Sequence, residues 1–140
     1  AHSLAIAADG AVWSWGGGGL GQVGHGDGQR DGRLGHGNRE GQLLPKKIEA
    51  FTDRRVVALS AGLNNSLALT AAGAVWSWGW GANGMLGHGD EQKQLLPKKI
   101  DALAGQRVVA VSAGAYHSLA LTADGAVWSW GWGNSGRLGQ

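Results

Sequence analysis

The sequence predicts an all-β chain built from repeated four-stranded antiparallel sheets. The first observation is the glycine content: 27 of the 140 residues are glycine. This excludes a helical bundle, because each glycine inside a helix costs about 1 kcal/mol relative to alanine. The second observation is an internal repeat, and the third is a series of short apolar segments separated by turn sequences, which is typical of all-β domains.

The repeat covers most of the chain. Residues 43–80 align without gaps on residues 95–132, and 28 of these 38 positions are identical. A third copy begins at residues 3–6, but its offset is 63 rather than 52, and the extra 11 residues match a tandem duplication of residues 21–31 in residues 32–42. We therefore interpret residues 1–140 as one domain with repeat units 1–64, 65–116 and 117–140, the last incomplete, and place the duplication in one loop.

Each unit contains the same order of predicted strands. The segment 55–60 is β-branched and apolar, and a second strand follows at 66–70. The next turn reads Ala-Asp-Gly, Ala-Ala-Gly and Ala-Asp-Gly in the three copies, which is a hairpin signal. A third strand covers 74–79. After a glycine-rich loop, a fourth strand is predicted to begin at Pro97, which suits an edge strand because proline donates no ladder hydrogen bond.

The third strand is apolar or small on both faces. The strand period of two places Trp76, Trp78 and Trp80 on one face, with Val75 and Ser77 on the other. Such a strand needs cover on both sides, and four short strands per roughly 50 residues are typical of a propeller blade. The sequence therefore predicts a partial β-propeller of about two and a half blades. The residues predicted to pack blade against blade are Trp13, Trp15, Trp76, Trp78, Trp80, Trp128, Trp130 and Trp132.

Several motifs resemble the repeat of the regulator of chromosome condensation family. They are Ser-Ala-Gly at 112–114, His-Ser-Leu-Ala-Leu at 117–121, Gly-Ala-Val-Trp-Ser-Trp-Gly at 125–131, Asn-Gly-Met-Leu-Gly-His-Gly-Asp at 83–90 and the later Pro97. The resemblance implies a seven-bladed propeller. It implies little about function, because the family includes exchange factors for a small nuclear GTPase, ubiquitin-ligase propellers, a plant ultraviolet-B receptor and a bacterial β-lactamase inhibitor.

The loops at 78–81 and 130–133 read Trp-Gly-Trp-Gly, which is similar to the ultraviolet-B receptor branch of that family. The sensor motif of that branch, Gly-Trp-Arg-His-Thr, aligns on residues 62–66 and 114–118. Neither segment contains its tryptophan or its arginine. The sequence therefore does not favour photoreception.

The predicted strands number ten, as one complete blade between two blades that each lack a strand. A ring of seven four-stranded blades cannot be built from copies of a ten-stranded unit. The unpaired edge strands and apolar faces of this unit would also favour association with other blades. We therefore expect the remaining blades to come from the same or a neighbouring chain.

The net charge is +2 and there is no cysteine. So small a surplus does not favour a nucleic-acid reader beyond weak contacts of a basic rim. No apolar run is long enough for a membrane span and no signal peptide is visible, so an intracellular protein, cytoplasmic or nuclear, is expected.

The sequence contains fragments of catalytic and ligand-binding motifs. Gly-x-Gly-x-x-Gly occurs three times, each after a strand, but no amphipathic helix follows it as a dinucleotide site requires. His25 and His36 lie in Gly-His-Gly beside Asp27 and Asp31, without the three or four converging ligands of a zinc site. Serines recur at equivalent positions, whereas catalysis needs a unique base and orienting group. We predict no catalytic residue, no cofactor and no metal.

His2, Asn65 and His117 precede equivalent strands. Both residue types donate and accept hydrogen bonds, so we interpret them as polar caps of backbone groups.

The function predicted is a non-catalytic protein-interaction module that binds a protein partner. The favoured interface is the long loop from Gly16 to Gly41, because the duplication doubled its length without changing the strands and loops carry recognition. Its candidate residues are Leu20, Gln22, His25, Asp27, Arg30, Arg33, His36 and Arg39. A second candidate is a basic rim of Lys46, Lys47, Lys98 and Lys99, beside Arg54, Arg55 and Arg107. Alternative functions are guanine-nucleotide exchange on a small GTPase and substrate or chromatin docking for a ubiquitin ligase.

Overall fold

The computed structural model describes residues 2–16, 28–29, 33–34, 42–80, 84–133 and 138–139. Its strands are, in chain order, β1 (His2–Ile6), β2 (Val12–Gly16), β3 (Gly28–Gln29), β4 (Arg33–Leu34), β5 (Gln42–Lys47), β6 (Val56–Ala61), β7 (Asn65–Thr70), β8 (Val75–Gly79), β9 (Gln94–Lys99), β10 (Val108–Ala113), β11 (His117–Thr122) and β12 (Val127–Gly131). Short 3-10 helices, Glu49–Phe51 and Asp101–Leu103, follow β5 and β9. Within the described ranges, no helix is long and apolar enough to cross a membrane.

Ten of these strands form three antiparallel sheets. The first sheet has the order β1-β2-β5, the middle sheet β6-β7-β8-β9 and the third sheet β10-β11-β12. Chain order and sheet order coincide, as in a meander of short hairpins. The predicted all-β fold, with a complete four-stranded sheet between two three-stranded ones, is confirmed. In the duplicated loop, β3 pairs with β4, with Gly28 opposite Leu34.

The central hairpins of the three sheets have the same register. In the middle sheet Asn65 is opposite Gly79, and in the third His117 is opposite Gly131. Each hairpin turns at a glycine in the left-handed region, for example Gly73 with φ 84°. A side chain there would be strained, which is why the repeat has glycine at this position.

The fourth strand begins earlier than the sequence suggested. The prediction that it starts at Pro97 is wrong, because β9 begins at Gln94 and Pro97 lies inside it. The ladder between β8 and β9 shifts register between Ser77 and Gly79, so the proline lies where regular pairing is interrupted. Proline is tolerated at such a bulge on an edge strand because no ladder donor is lost.

Two apolar clusters hold the sheets together. The first junction, between the first and middle sheets, buries six hydrophobic side chains: Val12, Ile48, Phe51, Val56, Ala68 and Trp78. The second junction, between the middle and third sheets, buries seven: Leu67, Leu69, Val75, Ile100, Leu103, Val108 and Ala120. The middle sheet is therefore covered on both faces, as its sequence pattern predicts.

The two junctions are copies of one another. Val12 in the first corresponds by repeat to Val75 in the second, and Ile48 corresponds to Ile100. Ile48 N donates to Val12 O, and Ile100 N donates to Val75 O, both at 2.8 Å. Each of these hydrogen bonds lies within one sheet, so the same intra-sheet contact places the equivalent apolar residues at both junctions.

Candidate interaction surface

The hairpin turns at residues 8–10, 71–73 and 123–125 lie at one end of the three sheets, which we call the turn-side rim. Each of the first two turns is covered by an arginine of the next sheet. A methyl group at Gly10 would lie 3.2 Å from Cγ of Arg55, and one at Gly73 would lie 3.1 Å from Cγ of Arg107. The absence of a glycine side chain thus makes room for the arginine stem at each junction, and the stem can pack there while the charged end reaches solvent.

The two lysines of each adjacent pair lie on opposite sides of their strand. Lys47 and Lys99 line grooves of the turn-side rim. Lys98 points away from them, close enough to His88 that its charge contributes to lowering the pKa of that histidine, after burial of the ring. Lys46 is opposite Ser14, as Lys98 is opposite Ser77. The predicted basic rim is therefore split, and one lysine of each pair joins the arginines.

Among the described residues, four grooves of the turn-side rim bear on its charge. One of them, of about 530 Å³, lies between the 71–74 turn and the segment 99–107 at the second junction. A neighbouring groove of about 410 Å³ is bordered by Arg54, Arg55, Lys99 and Asp53. Together the four grooves are lined by five cationic and three acidic side chains. These are Lys47, Arg54, Arg55, Lys99 and Arg107, with Asp9, Asp53 and Asp124.

Two of the three carboxylates are engaged by their own turns. Asp9 Oδ1 accepts a hydrogen bond from the backbone N–H of Ala11 at 3.0 Å. Asp124 accepts from Thr122 Oγ1, and this hydrogen bond lowers the pKa of the carboxyl group below its usual value. These two carboxylates are held in place but stay charged, so the positive surplus of the rim comes from five cationic side chains against three acidic ones.

One arginine of the rim is held by an aromatic ring. The guanidinium carbon of Arg54 lies 4.7 Å from the ring centroid of Trp76. Trp76 also packs edge-on against Phe51, with ring centroids 5.8 Å apart. A cation over an indole face is attracted by the ring quadrupole, so this arginine has a preferred position.

The serine–histidine hydrogen bond between β8 and the loop that follows it is structural. Ser77 Oγ donates to Leu86 O at 2.6 Å, so its oxygen accepts from His88 Nε2 at 2.9 Å. A histidine that donates to the serine cannot act as its general base. The equivalent Ser129 makes the same bond, to Leu138 O at 2.7 Å. These repeated serines anchor the loops that follow their strands.

A second set of polar residues links neighbouring sheets. His2 Nε2 lies 2.7 Å from Ser66 Oγ, and Asn65 Nδ2 donates to Ser118 Oγ at 3.2 Å. The interpretation of these positions as backbone caps is wrong for both, because each bonds the hydroxyl of the next sheet. Burial lowers the pKa of His2 to about 4. Gly62 allows this close approach, since a side chain there would collide with Asn65 and with the carbonyl of Gly114.

The predicted tryptophans occupy different environments. Trp78 is fully buried at the first junction, and Trp130 packs partly buried against the second. Trp13, Trp128 and Trp132 are more than a third exposed. The remaining members of the set, Trp15, Trp76 and Trp80, are partly exposed.

Most of the candidate interface loop lies outside the described residues. This applies to Leu20, Gln22, His25, Asp27, Arg30, His36 and Arg39, whereas the backbone of Arg33 lies in β4. The histidine and aspartate positions weighed as metal ligands also fall there. Among the residues that the structure describes, no group of three His, Cys, Asp or Glu side chains could hold a metal ion.

The sequence missed the feature that organises the rim. Sequence analysis identified the lysine and arginine pairs but not the grooves between them. The grooves depend on which side chain lies against which turn across a junction. The turn residue Ala72 was the available signal, since it replaces the aspartate found in the other two turns.

Comparison with known proteins places the chain among repeat propellers. The family model for the regulator of chromosome condensation (RCC1) repeat matches residues 9–69 and 72–121. Human E3 ubiquitin-protein ligase HERC2 is 43% identical over 99% of this chain, which covers 3% of that protein. The ultraviolet-B receptor UVR8 of Arabidopsis thaliana is 41% identical over 99% of this chain, which covers 29% of that receptor.

A solved structure shows the same fold. Prp20p of Saccharomyces cerevisiae, described with its binding properties to Gsp1p and histones, superposes with a TM-score of 0.83 at 26% identity. The match covers 99% of this chain and 33% of that one. The chain thus spans a third or less of each of these relatives. With the repeated sheets and the family match in agreement, it belongs to the RCC1-repeat family of β-propellers.

Proposed function

We propose that this propeller segment is a protein-interaction module, without chemistry of its own, whose turn-side rim docks an acidic surface of a partner protein. The observation that carries the proposal is the positive surplus of the rim, where five cationic side chains line the grooves against three carboxylates. Charge complementarity of this kind raises association rates and selects the register of docking.

The duplicated loop between Gly16 and Gly41 is a second candidate surface for the same partner. Its length doubled while the strands kept their repeat, and it contributes further arginines to the chain. A partner that spans rim and loop would combine a charged contact with a segment that differs from the other repeats.

The relatives support a partner-binding role rather than a particular partner. Prp20p is described by its binding to Gsp1p and to histones, and HERC2 is named a ubiquitin-protein ligase. Both descriptions concern proteins at least three times longer than the matched segment. An exchange-factor function and a ligase-docking function are the two alternatives that these relatives favour.

The test compares capture by three forms of the chain. The first is the wild type. The second, the rim variant, carries Arg54→Gln, Arg55→Gln and Lys99→Gln. The third, the loop variant, carries Arg30→Gln, Arg33→Gln and Arg39→Gln, so both variants lose three positive charges. We expect that a partner protein retained by the wild type is not retained by the rim variant. The affinity of the purified complex should fall steeply between about 50 mM and about 300 mM salt. Retention by the rim variant, with loss by the loop variant, would contradict docking on the rim.

A nucleotide-release assay separates the exchange-factor alternative. The chain is mixed with small GTPases loaded with a labelled nucleotide, and release is followed with time. The interaction module should bind without accelerating release. Acceleration above the intrinsic rate would support exchange and overturn a purely docking role.

A further inference from the structure

The groove between the 71–74 turn and the segment 99–107 differs from its counterpart at the first junction. We call it the Ala72 groove. It encloses about 530 Å³ and is lined by the 71–75 segment, by 99–100 and by 103–107. The equivalent groove at the first junction, lined by Asp9, Lys47, Phe51 and Arg54 among others, encloses about 60 Å³. A volume of several hundred Å³ is in the range of ligand-binding pockets, about 300–1,000 Å³.

Five substitutions between the repeats accompany the enlargement. Larger or charged residues at the first junction are replaced at the second by smaller or uncharged ones. The pairs are Asp9 and Ala72, Phe51 and Leu103, Thr52 and Ala104, Asp53 and Gly105, and Arg54 and Gln106. At the second junction Val108 N donates to Gly73 O at 3.1 Å, which holds the turn against the next sheet.

The substitutions also change the charge of the groove. Its described lining contains two cations, Lys99 and Arg107, and no carboxylate. The smaller groove contains Asp9 beside Lys47 and Arg54. The positive charge of the Ala72 groove is thus not offset by an acidic side chain in its own wall, and an anionic group entering it would meet two cations.

The floor of the same groove is apolar. Val75, Ile100 and Leu103 lie beneath it and are only 1%, 2% and 5% exposed, so the apolar surface that the floor offers comes from the exposed alanines Ala72 and Ala104. The stem of Arg107 lies against Gly73, so part of the freedom of that side chain is already restricted before a ligand binds. Preorganised charge beside an apolar surface favours ligands that present both kinds of group.

From these features we propose that the Ala72 groove binds an acidic segment of a partner protein in which a glutamate or aspartate lies next to an apolar side chain. The carboxylate contacts Lys99 and Arg107, and the apolar side chain lies on the floor. This inference rests on the proposed docking function and names the chemistry of the segment that one groove of the rim accepts.

The test uses the 140-residue chain and a fluorescein-labelled peptide of three Glu-Leu-Glu-Gly units, with binding followed by anisotropy. A peptide with glutamine in place of glutamate is the control. We expect binding of the glutamate peptide alone, weakened roughly fivefold or more by Lys99→Gln and by Arg107→Gln, because hydrogen bonds to charged groups are the stronger class. Lys98→Gln removes the same charge one residue away, on the other side of the strand, and should change affinity less than twofold.

Two further variants fill the groove with the residues of the first junction. Ala72→Asp supplies the carboxylate and Leu103→Phe supplies the ring. Each should weaken binding of the glutamate peptide about tenfold while circular dichroism and the unfolding midpoint stay those of a folded chain. Serine-rich peptides with the same acidic spacing but no leucine should bind several-fold less tightly than the leucine form.

Several results would overturn the inference. Equal binding of the glutamine peptide would remove the role of the carboxylate, and equal losses in Lys98→Gln and Lys99→Gln would show a diffuse charge effect. Self-association of the wild type that Ala72→Asp abolishes, without peptide binding, would assign the groove to a second copy of the chain. Loss of a partner in Arg54→Gln or Arg55→Gln but not in Lys99→Gln or Arg107→Gln would leave docking on the rim intact and exclude this groove.

Discussion

The two junctions of the propeller come from one repeat and differ mainly at the turn-side rim. Inside the sheets the residues recur, as Val12 with Val75 and Ile48 with Ile100. At the rim Phe51 of the first junction corresponds to Leu103 of the second. The groove volume changes from about 60 Å³ to about 530 Å³. Residues that set sheet spacing are therefore repeated, while residues at the mouth of the junction vary and shape a surface.

The neighbouring tryptophans show the consequence. Trp76 packs against Phe51 and beneath Arg54 at the first junction. At the second junction the repeat has Leu103 in place of Phe51 and Gln106 in place of Arg54, and the equivalent Trp128 is 40% exposed. The second junction, which lacks aromatic and cationic equivalents of Phe51 and Arg54, thus has the wider groove at the rim. The first junction is the tighter one, and the second is the more accessible.

The largest expected effect tests that contrast in packing. Trp78→Ala removes a fully buried indole that contacts Phe51 at a centroid distance of 5.7 Å, and should cost about 3–5 kcal/mol in the free energy of unfolding. Trp130→Ala removes a partly exposed indole and should cost roughly half as much. Urea unfolding followed by circular dichroism measures both. Equal losses would mean that the two junctions are packed alike.

The second effect is a dependence of stability on pH. His2 links the sheets at the first junction and can be protonated, whereas Asn65 links them at the second and cannot. Burial lowers the pKa of His2 in the folded chain to about 4, from 6.5 in an unfolded one. The stability that depends on neutral His2 is therefore complete above pH 6.5 and is lost as the pH falls toward 4. At 1.36 kcal/mol per unit, the loss is at most about 3 kcal/mol.

His2→Asn places at the first junction the residue that the second already has. The variant should keep a bond to Ser66 and lose less stability than the wild type between pH 7 and pH 4. His88, whose pKa is also lowered by burial, titrates in both forms and cancels in the difference. Parallel stability curves for the two proteins across this range would contradict the assignment to His2.

Phe51→Leu gives the first junction the side chain of the second. Phe51 is 2% exposed and touches both Trp76 and Trp78, so we expect a loss of about 1–2 kcal/mol from the two aromatic contacts and the smaller volume. The exposure of Trp76 should also rise, visible as a small red shift of the summed emission of the eight tryptophans. The reciprocal Leu103→Phe should stabilise the second junction or leave it unchanged. Stability unaffected by Phe51→Leu would show that the rim contributes nothing to packing.

Much of the fold could be predicted because strand period and repeat are local properties. The alternation around Trp76 and Trp78 indicated a sheet covered on both sides, and the Asp-Gly turns located the hairpins. The start of β9 was misplaced because proline can also lie at a bulge inside an edge strand, which depends on the register with β8.

The site was less predictable because it is formed between repeats. Lys98 and Lys99 are adjacent in sequence, and only their strand geometry assigns one of them to a groove. The bonds of His2 and Asn65 to serines of the next sheet likewise join residues more than 50 positions apart. Spacing within one unit carries no information about such contacts.

The smallest expected effect separates stability from binding at the second junction. Ala72→Asp restores the turn sequence of the other two copies, where Asp9 Oδ1 accepts from Ala11 N at 3.0 Å and Asp124 Oδ1 accepts from Ala126 N at 3.3 Å. An exposed turn hydrogen bond of this kind should stabilise the chain by about 0.5 kcal/mol. The same carboxylate should repel an acidic ligand from Lys99 and Arg107. If the Ala72→Asp chain is slightly more stable yet binds the glutamate peptide more weakly, alanine at this position favours access to the groove. A loss of stability would instead mean that this turn cannot adopt the aspartate geometry of its two counterparts.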